Sequence, residues 1–170
     1  DGIGTQVGRT RLWRLTFDDI RFPELGGAVD LLLEGGVGND ANMWDNLAVT
    51  GDGKLVLQED PGNTPHNAKI WFFDPVTRSL SKVLSHDTGR FGDVTLAART
   101  PFTQDEESSG VLDVSALFGS NVALGERVYL VAQQAHTTDL SGLANPSELV
   151  ERGQLLLVRQ IAADRGPSTT

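Results

Sequence analysis

The stretch "NLAVTGDGKLVLQE" (46–59) decides the fold class of this 170-residue chain. Two apolar runs flank Gly51-Asp52-Gly53, and glycine there supplies the positive φ angle that a tight hairpin turn requires. Each run is rich in Val and Leu and is shorter than a typical helix. The stretch therefore predicts two antiparallel strands joined by a turn.

Similar short segments recur along the chain between turn signals. Asp74-Pro75 is expected to open a second hairpin, whereas Ser115 and Gly119 are expected to begin and end one short helical turn. Many short strands with few helix signals indicate an all-β protein. The nine predicted strands are 10–17, 28–34, 46–50, 54–59, 68–74, 80–86, 110–115, 127–134 and 153–160.

Strands at this spacing fit a β-propeller of antiparallel four-stranded blades, or else a sandwich or barrel. At four strands per blade the chain makes about two to three blades, whereas propellers typically have about four to eight. Residues 1–160 are therefore expected to form a partial propeller, and residues 161–170 a disordered tail. Because open edge strands invite pairing, a longer parent chain or self-association would supply the remaining blades.

The composition limits the classes of function. The 14 Lys and Arg residues are outnumbered by 23 Asp and Glu residues, which gives a formal net charge of -9. Such a charge repels nucleic acid and anionic membranes and attracts cations. No apolar run approaches the roughly 20 residues needed to cross a bilayer, so we expect no membrane insertion. Cysteine is absent, which excludes disulfides, thiolate metal sites and a cysteine nucleophile.

Four oxygen-bearing side chains flank the first hairpin. Asp45 and Asn46 stand where its first strand begins, and Glu59 and Asp60 stand where its second strand ends. Antiparallel pairing brings these positions to one edge of the sheet. Because calcium takes about six to eight such oxygen ligands, the four could form half of a calcium site. The alternative is an Asx turn at Asp45-Asn46 and an ordinary polar loop after Glu59.

Several phrases, taken in order, resemble one family, the C-terminal part of the PhoX-type alkaline phosphatases and their bacterial relatives with a phytase-like propeller. The phrases are "GGVGNDANMWDNLAVTGDGKLVLQEDPGN" (35–63), "KIWFFDP" (69–75), "SHDTGRFG" (85–92), "DEESSGVLDVSALFG" (105–119), "YLVAQQAH" (129–136) and "ERGQLLLV" (151–158). The resemblance implies an exported protein, secreted or periplasmic, that hydrolyses phosphate monoesters with calcium and iron ions held in the propeller channel. Because the chain begins at Asp1 without an initiator Met, we expect a mature product or an excised piece. The cysteine that binds iron in the best-known members has no counterpart here.

The resemblance also gives roles to residues outside the hairpin. On composition alone the acidic triplet 105–107 is typical of a solvated loop, whereas in the family Glu106 or Glu107 resembles a channel-facing carboxylate that binds metal or acts as a base. Adjacent residues of an extended chain point in opposite directions, so one of the two is expected to face the channel, and Glu107 is favoured. The resemblance places His136 beside the channel, and Arg90 could hold phosphate through its guanidinium group.

The main hypothesis is a metal-dependent phosphatase in which a metal-activated water attacks phosphorus. Glu107, His136 and Arg90 are its candidate catalytic residues, and the phosphate ester is its small-molecule partner. Two alternatives stay open: a non-catalytic, calcium-stabilised propeller or interaction module, and a propeller lactonase suggested by the hairpin. The candidate metal ligands are Asp45, Asn46, Glu59, Asp60 and Glu106.

Overall fold

The computed structural model describes residues 9–36, 40–62, 64–119, 126–136, 145 and 152–160. These residues form antiparallel strands and a few short helical turns, which confirms the all-β prediction. Every predicted strand is present, with its ends displaced by no more than a few residues. The strands are β1 (Arg11–Phe17), β2 (Gly27–Glu34), β3 (Trp44–Val49), β4 (Leu55–Glu59), β5 (Lys69–Asp74), β6 (Ser79–Ser85), β7 (Glu107–Asp113), β8 (Arg127–Ala135) and β9 (Arg152–Gln160). The helical turns are a 3-10 turn at Pro23–Leu25, α1 (Thr88–Phe91) and α2 (Ser115–Phe118).

The strands form three sheets, with the orders β1-β2, β3-β4-β5-β6 and β7-β8-β9. In the four-stranded sheet each strand pairs with the next one in the chain, as in a simple meander. The described residues form neither a closed barrel nor a closed propeller ring. None of their helices is long and apolar enough to cross a membrane. The tail predicted at 161–170 lies outside the described residues.

Both predicted hairpins are confirmed. Gly53 has a φ angle of 81° in the turn between β3 and β4, a value that L side chains adopt with strain. In the turn between β5 and β6, Asp74 Oδ1 accepts hydrogen bonds from the backbone N–H groups of Val76 (2.8 Å) and Thr77 (3.2 Å). The positive φ angle of Gly53 and the side-chain hydrogen bonds of Asp74 are thus what allow the chain to reverse between antiparallel strands.

The helical turn α2 occurs where predicted, but the role given to Ser115 is wrong by one residue. Val114 occupies the cap position, and Ser115 is the first helical residue. The Ser115 hydroxyl donates to Asp113 Oδ1 at 2.5 Å and accepts from the Val128 backbone N–H at 2.9 Å. It therefore ties α2 to β7 and β8 and does not satisfy an N–H group of the helix. Gly119 follows the helix with a φ angle of 51°, as predicted.

The four-stranded sheet is the middle layer of the molecule, because both of its faces carry a hydrophobic cluster. Successive residues of a strand point to opposite faces, so Leu57 and Val56 of β4 belong to different clusters. Leu57 packs in the cluster shared with the two-stranded sheet, and Val56 packs in the cluster shared with the three-stranded sheet. The first cluster contains Leu32, Ala41, Leu57, Trp71 and Phe73. The second contains Val56, Ile70, Val111, Tyr129 and Val131.

Candidate active site

A cavity of about 650 Å³ opens between the middle sheet and the three-stranded sheet. Its volume lies within the range of about 300–1,000 Å³ that is typical of small-molecule sites. Three of the predicted site residues, Arg90, Glu106 and His136, line it together, although they come from separate segments of the chain. Further polar groups in the lining come from Ser85, His86, Asp87, Ser108, Gln133 and Gln154.

Glu106 is the buried carboxyl group of the cavity, with 4% of its surface exposed. Its Oε2 accepts a hydrogen bond from the His136 backbone N–H at 3.0 Å, and its Oε1 accepts one from Thr103 Oγ1 at 3.2 Å. Burial, which penalises the charged form, raises the pKa of Glu106, although both hydrogen bonds act in the opposite direction. Glu106 can therefore hold a proton at a pH at which an ordinary glutamate is ionised.

Glu106 lines the cavity and Glu107 does not. The sequence had favoured Glu107 as the residue that faces inward. Glu107 is the first residue of β7 and does not line the cavity, whereas Glu106 and Ser108 on either side of it do. Every second residue of a regular strand points to the same face, so Glu107, four residues before the buried Val111, would be expected on the cavity side. The register between β7 and β8 shifts between Ser108 and Gly110, however, and this irregularity moves the inward position to Ser108 and Glu106.

His86 is a neutral ring in the cavity wall. The Gln133 Nε2 group contacts the carbonyl oxygens of Glu107 and Gln134, which can only accept hydrogen bonds, and lies 3.4 Å from His86 Nε2. An amide nitrogen donates, so its contact with His86 Nε2 is a hydrogen bond in the neutral tautomer that carries the ring proton on Nδ1. Burial lowers the pKa of His86 to about 4, which favours the neutral ring near pH 7. His86 thus offers hydrogen bonds and no positive charge near pH 7.

Arg90 is carried to the cavity by the short helix α1, which the sequence did not predict. Asp87 caps this helix, since its Oδ1 accepts a hydrogen bond from the Gly89 N–H at 2.8 Å. The Arg90 guanidinium lies 3.8 Å from the Asp87 carboxylate and 5.8 Å from the centre of the Phe102 ring. Because the Arg90–Asp87 pair is largely exposed, an incoming anion can compete with Asp87 for the guanidinium.

Glu59, proposed as a calcium ligand, is instead the centre of a closed hydrogen-bond network. No part of its surface is exposed, and both of its carboxyl oxygens accept two hydrogen bonds each. Four donors satisfy most of the acceptor capacity of a carboxylate. They are the backbone N–H groups of Asn42 (2.8 Å) and Lys69 (2.9 Å), Trp71 Nε1 (2.7 Å) and His66 Nε2 (2.8 Å).

Sequence reasoning gave His66 no role, yet this residue is buried beside Glu59 with 4% of its surface exposed. Lys69 is buried with it, and its Nζ donates to the Asn67 carbonyl at 2.7 Å and lies 3.8 Å from the Asp40 carboxylate. The pattern "PHNAKIW" gives no local sign of this network, because His66 precedes β5 and Glu59 ends β4. The pairing depends on how the loop between the two strands folds back.

The four hairpin residues do not gather into a calcium site. Asp45 is exposed and accepts a hydrogen bond from its neighbour Asn46 Nδ2 at 3.1 Å. Asp60 Oδ1 accepts from the Gly62 N–H at 2.8 Å, which forms a local turn. Among the residues that the structure describes, no group of three or more His, Cys, Asp or Glu side chains is placed to hold a metal ion. Because the Glu59 oxygens already have their donors, this arrangement does not fit the calcium ion that the resemblance implies.

Comparison with known proteins adds no relatives to this picture. No protein-family model matches the chain, and neither a curated protein nor a solved structure shows significant similarity to it.

Proposed function

We propose that this chain belongs to a β-propeller hydrolase and that the cavity binds and cleaves a phosphate monoester. The observation that carries the proposal is the meeting of Arg90, Glu106 and His136 in one cavity. The resemblance selected these residues from three separate phrases of the sequence. Their convergence unites a cation, a carboxyl group of raised pKa and an imidazole, which are groups that phosphate-ester hydrolysis can use.

Arg90 supplies the phosphate contact. Its guanidinium group is planar and can donate two parallel hydrogen bonds to two phosphate oxygens. A phosphate held there would displace Asp87 from its weak contact at 3.8 Å. His86 adds hydrogen-bonding capacity without adding charge, because its ring is neutral. The anion is therefore bound mainly through Arg90.

Glu106 supplies the proton for the leaving group. Phosphoryl transfer passes through a loose transition state, so the departing ester oxygen gains negative charge as its bond to phosphorus breaks. Protonated Glu106 donates its proton to that oxygen and becomes a carboxylate. A water molecule forms the new bond to phosphorus and passes its proton to the His136 imidazole. Every step is assigned to residues that line the cavity, namely Arg90, Glu106 and His136.

The test measures phosphate release from phenyl phosphate together with the binding of inorganic phosphate by calorimetry. Glu106→Gln should reduce hydrolysis by about 100-fold or more, because general acid catalysis contributes factors of that size. The same variant should still bind phosphate, whereas Arg90→Gln should weaken phosphate binding by about ten-fold or more.

Arg21→Gln is the matched control, because Arg21 is an exposed arginine that pairs with Asp19 and does not line the cavity. It should leave both hydrolysis and phosphate binding unchanged. A wild-type chain that neither binds phosphate nor releases it from the ester would overturn the proposal, as would equal losses in Arg90→Gln and Arg21→Gln.

The propeller part of the proposal is supported by the outer faces of the two end sheets. Trp13, Leu15 and Phe17 alternate along β1 and are between 37% and 59% exposed. Leu155 and Leu157 alternate along β9 and are 68% and 59% exposed. Apolar faces of this kind mark surfaces that pack against another layer. We therefore interpret the three sheets as consecutive blades, with further blades supplied by a parent chain or by self-association.

Sedimentation of the wild-type chain and of Leu15→Glu tests this packing. A wild-type chain that self-associates, with dissociation caused by Leu15→Glu, supports an association that completes the blades. A stable wild-type monomer whose solution scattering fits a closed sandwich would contradict the propeller.

A second candidate is a non-catalytic module whose buried acids serve the fold. The closed network around Glu59 favours it, because that carboxylate has a structural use without any ligand. Phosphate binding without hydrolysis in the experiment above would favour this module over the enzyme.

A further inference from the structure

Three rings form a continuous aromatic wall along the cavity. His86 and Phe91 meet edge to face, with ring centroids 5.4 Å apart and an interplanar angle of 77°. Phe91 and Phe102 meet in the same way at 5.1 Å and 67°. All three rings line the cavity and none is fully buried, so part of each ring surface remains available. A ligand in the cavity therefore meets ring surface along one side.

The aromatic wall ends at the proposed phosphate contact. The Arg90 guanidinium lies 5.8 Å from the centre of the Phe102 ring, and both side chains line the cavity. A phosphate bound to Arg90 would lie close to Phe102, whose ring contacts Phe91. An organic group attached to that phosphate can therefore reach the rings.

Apolar groups supply most of the exposed surface of the cavity, although Ser85, Ser108, Gln133 and Gln154 also line it. Ile70, Leu84, Pro101 and Leu156 line the cavity, and their side chains offer no hydrogen-bond donor or acceptor. A hydroxyl-rich organic group, such as glycerol or a sugar, would find fewer hydrogen-bond partners here than in water. A flat apolar ring would lose little and would gain contacts with Phe91 and Phe102.

We propose, building on the proposed function, that the substrate class is the small aryl phosphates, in which the phosphate is esterified to a phenolic oxygen. The aromatic wall of His86, Phe91 and Phe102 selects the ring, and Arg90 selects the phosphate. Phe91 and Phe102 are then residues that determine specificity, and they take no part in proton transfer. Hydrolysis gives inorganic phosphate and a phenol, whose oxygen carries the proton that Glu106 donates.

The test compares three ligands by calorimetry: inorganic phosphate, phenylphosphonate and cyclohexylphosphonate, the last two being analogues of the esters that the chain cannot hydrolyse. The two phosphonates have six-membered rings of similar size, and only the phenyl ring is flat and aromatic. The wild-type chain should bind phenylphosphonate about five to ten times more tightly than cyclohexylphosphonate, since favourable ring pairs contribute factors of this size. Phe102→Leu and Phe91→Leu should each reduce this preference toward one. Because the preference is a ratio measured within each variant, a change in anion affinity that both phosphonates share cancels.

Phe118→Leu is the matched control, because Phe118 is a partly buried phenylalanine of α2 that does not line the cavity. It should retain the full preference. If inorganic phosphate binds and the wild type binds the two phosphonates equally, the aryl inference is overturned while the phosphatase proposal stands. If none of the three ligands binds, the phosphatase proposal fails, and this inference fails with it. The wild-type comparison decides between these outcomes even if a phenylalanine variant does not fold.

Discussion

Glu59 and Glu106 are both buried glutamates that the sequence marked as candidate ligands, yet their surroundings differ. Glu59 is fully buried, and four donors close around its two oxygens. Glu106 accepts one hydrogen bond on each oxygen, from Thr103 Oγ1 and from the His136 N–H, and lines an open cavity. The first carboxylate has its donors supplied by the fold, whereas the second remains accessible to a ligand.

The difference shows that burial alone does not identify a functional carboxylate. A closed set of donors replaces water and makes an acid part of the core. At Glu106, burial beside the cavity raises the pKa. The carboxylate to test for chemistry is therefore Glu106, because it lines the cavity.

The largest effect should come from removing Glu59. Glu59→Ala leaves the Trp71 indole, His66 and two backbone N–H groups without their acceptor inside the protein. Removing one partner from a buried, charged network costs about 3–5 kcal/mol. Urea unfolding should show a loss of stability of that order, while Glu106→Gln, which keeps the shape of the protonated side chain, should lose about 1 kcal/mol or less.

Asp45→Asn is the control for this comparison, because Asp45 is an exposed acid at the same edge of the sheet. It should change the free energy of unfolding by no more than about 0.5 kcal/mol, and added calcium should leave the Tm of the wild type unchanged. Equal losses in Glu59→Ala and Glu106→Gln would remove the distinction between the two sites. A calcium-induced rise in Tm that Asp45→Asn abolishes would restore the hairpin as a metal site.

A smaller effect should appear in the dependence of stability on pH. The pKa of His86 is about 4 in the folded protein and 6.5 in the reference state, so between these values the unfolded chain binds more protons. Stability should therefore fall as the pH drops from about 6.5 to about 4, with His86 contributing up to about 3 kcal/mol of the loss. Glu106 has the opposite effect on the pH dependence of stability. Its pKa is raised in the folded protein, so its contribution to stability is present at low pH and is lost as the pH rises through the pKa of the folded state.

Urea unfolding of the wild type and of His86→Gln across this range separates the histidine from the acids. The variant keeps a hydrogen-bonding side chain and removes the titrating ring, so its curve should be flatter by the His86 contribution. Parallel curves for the two proteins would show that His86 titrates normally and that the cavity wall is well hydrated. The contrast between the cavity and the closed network at Glu59 would then be weaker.

The local sequence determined the strands and hairpins of this protein. Alternating apolar residues and the turn chemistry of Gly53 and Asp74 act over a few neighbouring residues, so their effects are visible without the fold. The sequence also selected Arg90, Glu106 and His136 through resemblance, which placed a carboxylate and His136 at one channel, but it favoured Glu107 over Glu106 as the catalytic carboxylate.

Only the tertiary structure decided which acid serves the core and which faces the cavity. Glu59 is enclosed because the loop containing His66 folds back between β4 and β5, and Glu106 faces inward because the register of β7 shifts after Ser108. The helix α1, which brings Arg90 to Phe102, also depends on packing, because four residues are too few to be stable alone. Burial, register and ring contacts arise between segments distant in sequence, whereas alternation and turn signals report only on neighbouring residues.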